Sequence, residues 1–533
     1  MSASGIGGGA TYDVLVVGGG ANGLVAAARL GQAGLRVLLI EAETELGGQG
    51  RVVEFAPGFR ATPLGTDAGW APEPIVRGLG LDGLERSDHP GVSVPIASGE
   101  FLTIAADPRR ASEAMARYAP ADAAAWPAFT TQLRRLAGFL EALYLAPAPD
   151  IGASTPGEML PLLDLGRRFR ALGRVDMVEF LRFLPLSAWQ IAEDRFRWQP
   201  LQAAVAAGGI QHHQQGPRSG GTGYVLLHHL VGAPAGAVRG RAPWRSGPDA
   251  FTVAAERAAR KNRVTIRTGA ALARIDVKDD AVHGVTLAGG EEIAVRTVLS
   301  TANPARTILD HVDPVWLDPE FLHELRNVRH RGCAAFVLYA LESLPEIPGM
   351  ASADALSGTV SLTPDLVSME RAADAAKYGT VSERPHVELT VPSLRWPGLA
   401  PAGKHVLVAK AQYAPYRLRD GATWNDALRD SLADRVTAAI SSVSPCFQSR
   451  IAARVALSPR DLEERFHLRE GATTHGELGL DQILFMRPVA GWGHRTPIDG
   501  LYWGGSGTHP GPGVLGGAGW LAAKRVLRDL KRT

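Results

Sequence analysis

Apolar and polar positions along the chain fall into two kinds of pattern, and together they predict an α/β protein. Residues 12–17 form a short, β-branched apolar run, as expected of a parallel strand buried on both faces. Residues 24–33 carry helix formers and end at Gly34, where a helix C-cap glycine belongs. A second apolar strand follows at 36–40. Further on, a helix is predicted over 251–261, then strands over 263–267, 273–277, 283–287 and 297–301. Apolar spacings near 3.6 predict helices over 113–118, 124–145 and 157–183. The chain closes on a short apolar strand, a glycine-dense turn from Gly504 to Gly519, and a helix over 520–530.

Length and composition narrow the class. The 533 residues exceed the ~250–300 at which one core stops growing, so at least two domains are expected. Hydrophobic residues at 45% and charged residues at 21% are the balance of a soluble globular protein. The 61 glycines and 36 prolines follow no period, which excludes collagen-like and low-complexity readings. A net charge of +2 gives no support to a generic nucleic-acid binder. Cys333 and Cys446 are too few for a disulfide framework or a zinc site. No apolar run reaches the ~18–20 residues of a membrane span, and the first ten residues lack the pattern of a secretory signal. The expectation is a cytoplasmic, multi-domain enzyme.

Its chemistry starts where the first strand ends. Gly18, Gly20 and Gly23 satisfy G-x-G-x-x-G between that strand and the following helix, with Ala21 and Asn22 inside the turn. Glu41, followed by Ala42, stands at the end of the second strand, 23 residues beyond Gly18. The first glycine permits the tight turn, the second a close approach of backbone to pyrophosphate, and the third close helix–strand packing. The helix N-terminus offers free N–H groups and a positive dipole end to phosphate. Glu41 would accept hydrogen bonds from ribose hydroxyls and repel a 2′-phosphate. A second formal repeat, Gly511-x-Gly513-x-x-Gly516, is not read as another nucleotide site, because no second strand and acid follow it.

Two further stretches carry a resemblance. Gly47-Gly48, followed by Arg51, resembles the E-x(5)-G-G extension of two-dinucleotide-binding flavoproteins. GLYWGGSGTHPGPGVLGGAGWLAA, from Gly500, resembles the C-terminal FAD signature of the phytoene desaturase-like flavoproteins. The branch of pyridine nucleotide-disulfide oxidoreductase domain-containing protein 2 is similar over residues 216–232, 391–408, 412–418 and 467–498 as well. The resemblance implies a Rossmann-like FAD domain assembled from segments 10–70, 219–309 and 481–533. An α+β substrate domain, 71–218 and 310–480, would be inserted between them, its first part mostly helical. It further implies FAD contacts at the residues named above and at Val264, Ala302, Gly505, Ser506, Thr508, Gly513 and Val514.

Flavin chemistry needs a held substrate and a dry pocket more than a protein nucleophile. His509, in the signature, is the first candidate for a positioning or acid–base group, although Thr-His-Pro also suits a turn; Arg487 and His494 precede the signature and are candidates to face the pocket. The pairs His212-His213 and His228-His229 are read as strand neighbours pointing to opposite faces, so no metal is expected. Cys333 reads as a core cysteine. No second Rossmann unit for NADPH and no C-x-x-C pair are visible, so oxygen, a quinone or another acceptor is expected to take the electrons, and the sequence does not choose among them. Leu162, Leu165, Phe169, Leu172 and Val175 alternate with Arg167, Arg168, Arg170 and Arg174. A packed helix with a solvated arginine face is favoured there over a membrane-resting helix that admits a lipid-like substrate. The resemblance implies hydride transfer between a hydrophobic, isoprenoid-like substrate and flavin N5, carbon–carbon desaturation first. Amine or alcohol oxidation is the alternative, and a FAD-stabilised interaction protein is the alternative from another class.

Overall fold

The strand Val14–Val17 lies at the centre of a five-stranded parallel sheet, and segments from the whole length of the chain supply its neighbours. The order is Leu501–Trp503, Val298–Ser300, Val14–Val17, Val37–Ile40, Thr265–Arg267. The computed structural model describes residues 12–64, 68–96, 98–148, 156–350 and 352–531, so the glycine-rich leader lies outside the described residues. Both faces of the sheet are covered, which is why its strands read as unbroken apolar runs. The helices Ala21–Gln32, Ala250–Lys261 and Gly517–Asp529 pack on one face through Leu24, Ala255 and Val526. On the other face, Leu15, Leu38 and Val298 meet Ile275 and Val285 of a three-stranded antiparallel sheet and Phe321 of the helix Pro319–Arg326.

The second unit has a seven-stranded sheet in the order Ile451–Leu457, Ala334–Leu341, His405–Gln412, His386–Thr390, Thr359–Ser361, Val92–Pro95, Phe101–Ile104. Its pairs are antiparallel except that between Thr359–Ser361 and Val92–Pro95. Alternation sorts the two faces. Val387, Leu389, Leu407, Ala409 and Ala411 point to an apolar core closed by the helix Asp426–Ser441. The intervening His386, Glu388, Thr390, Val408, Lys410 and Gln412 point the opposite way. A helical layer built on Pro120–Tyr144 and Thr222–Leu230 packs beside this sheet.

Cores and predicted segments differ at several joints. Ile75 and Leu79, on the helix Glu73–Leu79, join the dinucleotide-side core. Tyr224 to Leu230 lie instead in the helical layer, and Phe59 packs on Phe336 of the seven-stranded sheet. The chain crosses between units repeatedly, and each apolar face follows the nearest core rather than a cut in the sequence. The predicted helix over 157–183 is two, Pro156–Ala171 and Gly173–Phe183, because Gly173 adopts φ 79°. Leu165, Phe169 and Leu172 pack on the core, whereas Leu163, Val175, Val178 and Leu181 are exposed. Among the described residues no helix is long and apolar enough to cross a membrane.

Candidate functional site

The turn after the first strand is built by close approach. Gly18 takes φ 100°, and a Cβ on Gly23 would stand 1.8 Å from the Gly18 carbonyl oxygen. The helix Ala21–Gln32 therefore starts tight against the strand, with no side chain capping its first N–H groups. The second glycine pair closes on the first: the Gly47 N–H donates to the Gly19 carbonyl at 3.0 Å, and a Cβ on Gly48 would meet Gly20 Cα at 3.2 Å. Glu41 is held by two backbone donors, Gly19 N–H at 2.6 Å on Oε2 and Glu43 N–H at 3.0 Å on Oε1. Arg51 pairs with Glu43 at 2.9 Å and lies over the Phe466 ring.

The C-terminal signature folds onto the same place. Asn22 Nδ2 donates to Ser506 Oγ at 3.2 Å, and Gly519 N–H donates to Asn22 Oδ1 at 3.2 Å. The Trp70 N–H donates to the Gly513 carbonyl, and the Leu515 N–H to the Trp70 carbonyl, each at 2.7 Å. Behind the turn, the Tyr144 hydroxyl donates to His228 Nδ1 at 2.7 Å and His228 Nε2–H donates to the Pro512 carbonyl at 3.0 Å.

These segments enclose a cavity of about 460 Å³ that runs from Glu41 to the polar face of the seven-stranded sheet. Of the residues singled out in the sequence, Gly18, Gly20, Ala21, Asn22, Glu41, Ala42, Gly47, Gly48, Arg51, Ala302, Ser506, Gly513 and Val514 line it. The glycine cradle, the fixed carboxylate and the free helix N-terminus fit a dinucleotide.

The others lie behind the wall. Gly23 and Gly505 serve close packing; a Cβ on Gly505 would stand 2.2 Å from the Thr301 oxygen. Val264 is buried among dinucleotide-side helices, next to Gly31. Thr508 Oγ1 donates to the Gly505 carbonyl at 2.8 Å and is fully buried. His509 departs most from its expected role. It is fully buried, its Nε2–H donates to the Ala146 carbonyl at 3.0 Å, and burial pushes its pKa down to about 3. It shapes the turn and stays neutral.

Arg487 and His494 also turn inward. The Arg487 guanidinium donates to the carbonyls of Thr474 (2.6 Å), Glu477 (3.1 Å), Gln482 (3.2 Å) and Ser506 (3.0 Å), and burial lowers its pKa to about 10. His494 Nδ1–H donates to the Trp503 carbonyl at 3.1 Å. Cys333 is buried beside Tyr413 and Met369. His228 and His229 sit on a helix, not a strand, and His212 is in a loop with φ 57°. Among the described residues no three His, Cys, Asp or Glu side chains group as metal ligands.

Lining residues that were not singled out in the sequence include Arg239, Arg241 and Arg395. Their signal was the polar alternation of 386–390 and 405–412, which marks a polar sheet face, with the Arg239-Gly240-Arg241 loop laid against it.

Comparison with known proteins agrees with this geometry. Residues 16–74 match the NAD(P)-binding Rossmann-like domain family. The chain is 22% identical to the phytoene desaturase (lycopene-forming) of Paracoccus sp., over 98% of each chain. Cyclohexylamine oxidase from Brevibacterium oxydans IH-35A shares the fold, with a TM-score of 0.55 at 15% identity over 98% of this chain and 100% of that one. Pyridine nucleotide-disulfide oxidoreductase domain-containing protein 2 of Mus musculus is 31% identical over 549 residues, 98% of this chain and 94% of the relative. The chain thus belongs to the family of pyridine nucleotide-disulfide oxidoreductase domain-containing protein 2, oxidoreductases with a Rossmann-like dinucleotide-binding domain.

Proposed function

We propose that the protein is a FAD-dependent oxidoreductase acting by hydride transfer at a carbon centre, carbon–carbon desaturation first. The observation that carries the reading is the convergence of three separate glycine segments, around Gly20, Gly48 and Gly513, on one cavity. A nicotinamide site needs only the first of them. The extra length of cradle suits a cofactor that reaches from Glu41 to the C-terminal signature.

When bound, FAD supplies the hydride acceptor of the reaction. The chain's own work is binding, orientation and exclusion of water. Backbone N–H groups at Gly20 and Ala21 would hold the pyrophosphate, Glu41 would accept from the ribose hydroxyls, and the turn ending at Val514 would hold the far end. Beyond it, the Val408 side of the sheet and Trp396 offer apolar surface to a carbon skeleton. The likeness to a phytoene desaturase supports desaturation, and the arginines on the wall weigh against a cationic amine as substrate.

The test is the visible spectrum of the purified protein, followed by anaerobic addition of polyene, alcohol and amine panels. A yellow protein bleached by an unsaturated or saturated hydrocarbon skeleton is the expected result. Bleaching by amines alone replaces desaturation with amine oxidation. Bleaching by none favours a FAD-stabilised interaction protein. A colourless protein that also refuses added FAD overturns the cofactor assignment.

A further inference from the structure

The wall opposite the dinucleotide cradle holds more buried positive charge than the fold needs. Glu388 and Lys410 face each other across neighbouring strands at 3.0 Å, both almost wholly buried. Arg239 reaches the same carboxylate from the loop above and is 6% exposed. Two cations thus share one anion, and His386 beside them is held neutral by burial. Burial alone would raise the Glu388 pKa, but the Arg239 and Lys410 charges hold its carboxyl well below the usual range. The cluster therefore keeps an uncompensated positive charge away from water, which is costly unless something meets it.

Arg239 is the member of the cluster that lines the cavity; Glu388 and Lys410 do not line it. Beyond its ion pair with Glu388, none of its Nε, Nη1 and Nη2 atoms makes a hydrogen bond. A guanidinium presents five donors in a planar fork, and leaving them idle in a buried place calls for a ligand. Two residues on, Arg241 lies against the C-terminal signature: a Cβ on Gly513 would stand 3.4 Å from its Nη1. His229 adds an Nε2 without a partner to the same wall. Among the described residues the only carboxylates lining the cavity, Glu41 and Asp249, belong to the dinucleotide unit.

We propose that this wall is a subsite for a carboxylate carried by the substrate, gripped by the Arg239 fork with Arg241 beside it, so that the enzyme acts on a hydrophobic acid. The inference rests on the oxidoreductase reading of the cavity and names its substrate class. A carboxylate is the group that matches a guanidinium fork in a planar, two-pronged way. Anchored there, an acyl chain extends toward the apolar side of the cavity at Val408 and Trp396.

The experiment titrates the FAD-loaded protein with octanoate, and with octanol and octylamine as length-matched controls. It reads the flavin difference spectrum and saturation-transfer NMR of the ligand. Octanoate binds saturably and the controls at least tenfold more weakly, as expected for about 10- to 100-fold from charge-assisted hydrogen bonds. Arg239→Met abolishes that preference, and Arg239→Lys restores part of it. Glu388→Gln removes the competing carboxylate and tightens octanoate, the opposite sign to Arg239→Met; a purely structural cluster would weaken both alike. Equal binding of octanoate and octanol, or an Arg239→Met variant that keeps the preference, overturns the proposal. So does loss of FAD in step with octanoate, which would assign Arg239 to the cofactor. If the protein takes up no FAD, the cofactor reading falls, while the NMR arm still decides whether the wall prefers the anion.

Discussion

At Gly23 a single hydrogen atom decides whether the first turn can close. The nearest atom to an added methyl group is the Gly18 carbonyl oxygen at 1.8 Å, a backbone atom that cannot swing aside. Gly23→Ala should therefore cost about 2–3 kcal/mol or more, in the range of overpacked cores. Denaturant unfolding reads that loss, and on the proposed FAD reading the flavin retained on purification should fall with it. Glycines and Glu41 were legible in the sequence because their spacing is fixed by a strand, a turn and a helix that follow one another directly. Arg239 was not, since an arginine beside a glycine looks the same whether it is solvated or buried. His509 misled for a related reason. Membership of a cofactor-adjacent segment does not say which way a side chain points, and here the turn sends it toward the end of the helix Pro120–Tyr144.

At the scale of elements, what matters is how irregular segments are tied down. Arg487 gathers carbonyls from the 474–482 loop and from Ser506, and so joins the approach to the cavity to the C-terminal signature. Arg487→Met would take this donor from those buried carbonyls, of which Glu477's alone keeps another in Gln482 Nε2, for a loss of about 3 kcal/mol or more. Arg487→Lys, keeping one or two of them, should recover about half. Equilibrium unfolding of the two variants checks the order, and a lysine variant no better than methionine would count against it. Strand and helix existence was readable from periodicity, as the buried runs at 12–17 and 36–40 and the helix over 251–261 show. The break at Gly173 was not, because a helical spacing of apolar residues continues across it while only the backbone reverses.

For the molecule as a whole, buried histidines set the response to acid. His330 and His494 have pKa values lowered to about 4, and His475 and His509 to about 3, in each case chiefly by burial. In the unfolded chain each would titrate near 6.5. Above that value neither state binds the proton and the full stability is present. Below it the unfolded chain takes up protons that the folded one refuses, so stability falls as pH drops from about 6.5 toward 4. The unfolding temperature should hold steady above pH 7 and decline steadily below 6, and His509→Asn should flatten that decline. A profile level down to pH 4.5 would contradict it. The two-unit plan was readable from length and from the separated cofactor motifs, but the joints were not. Which core a helix such as Glu73–Leu79 joins depends on contacts with segments hundreds of residues away.

Those distant contacts also impose a schedule on the living chain. Asn22, in the first turn, bonds to Ser506, 484 positions later. At ~5–20 residues per second, a ribosome needs roughly 25–100 s to make the partner after the first residue has emerged. Until its neighbour Val298–Ser300 has emerged, the strand Val14–Val17 exposes an apolar edge, and Leu501–Trp503, which pairs with Val298–Ser300, follows only near the end. The glycine cradle, which needs Gly513 and Val514 as well as Gly18 and Gly48, can therefore be complete only once translation has nearly finished.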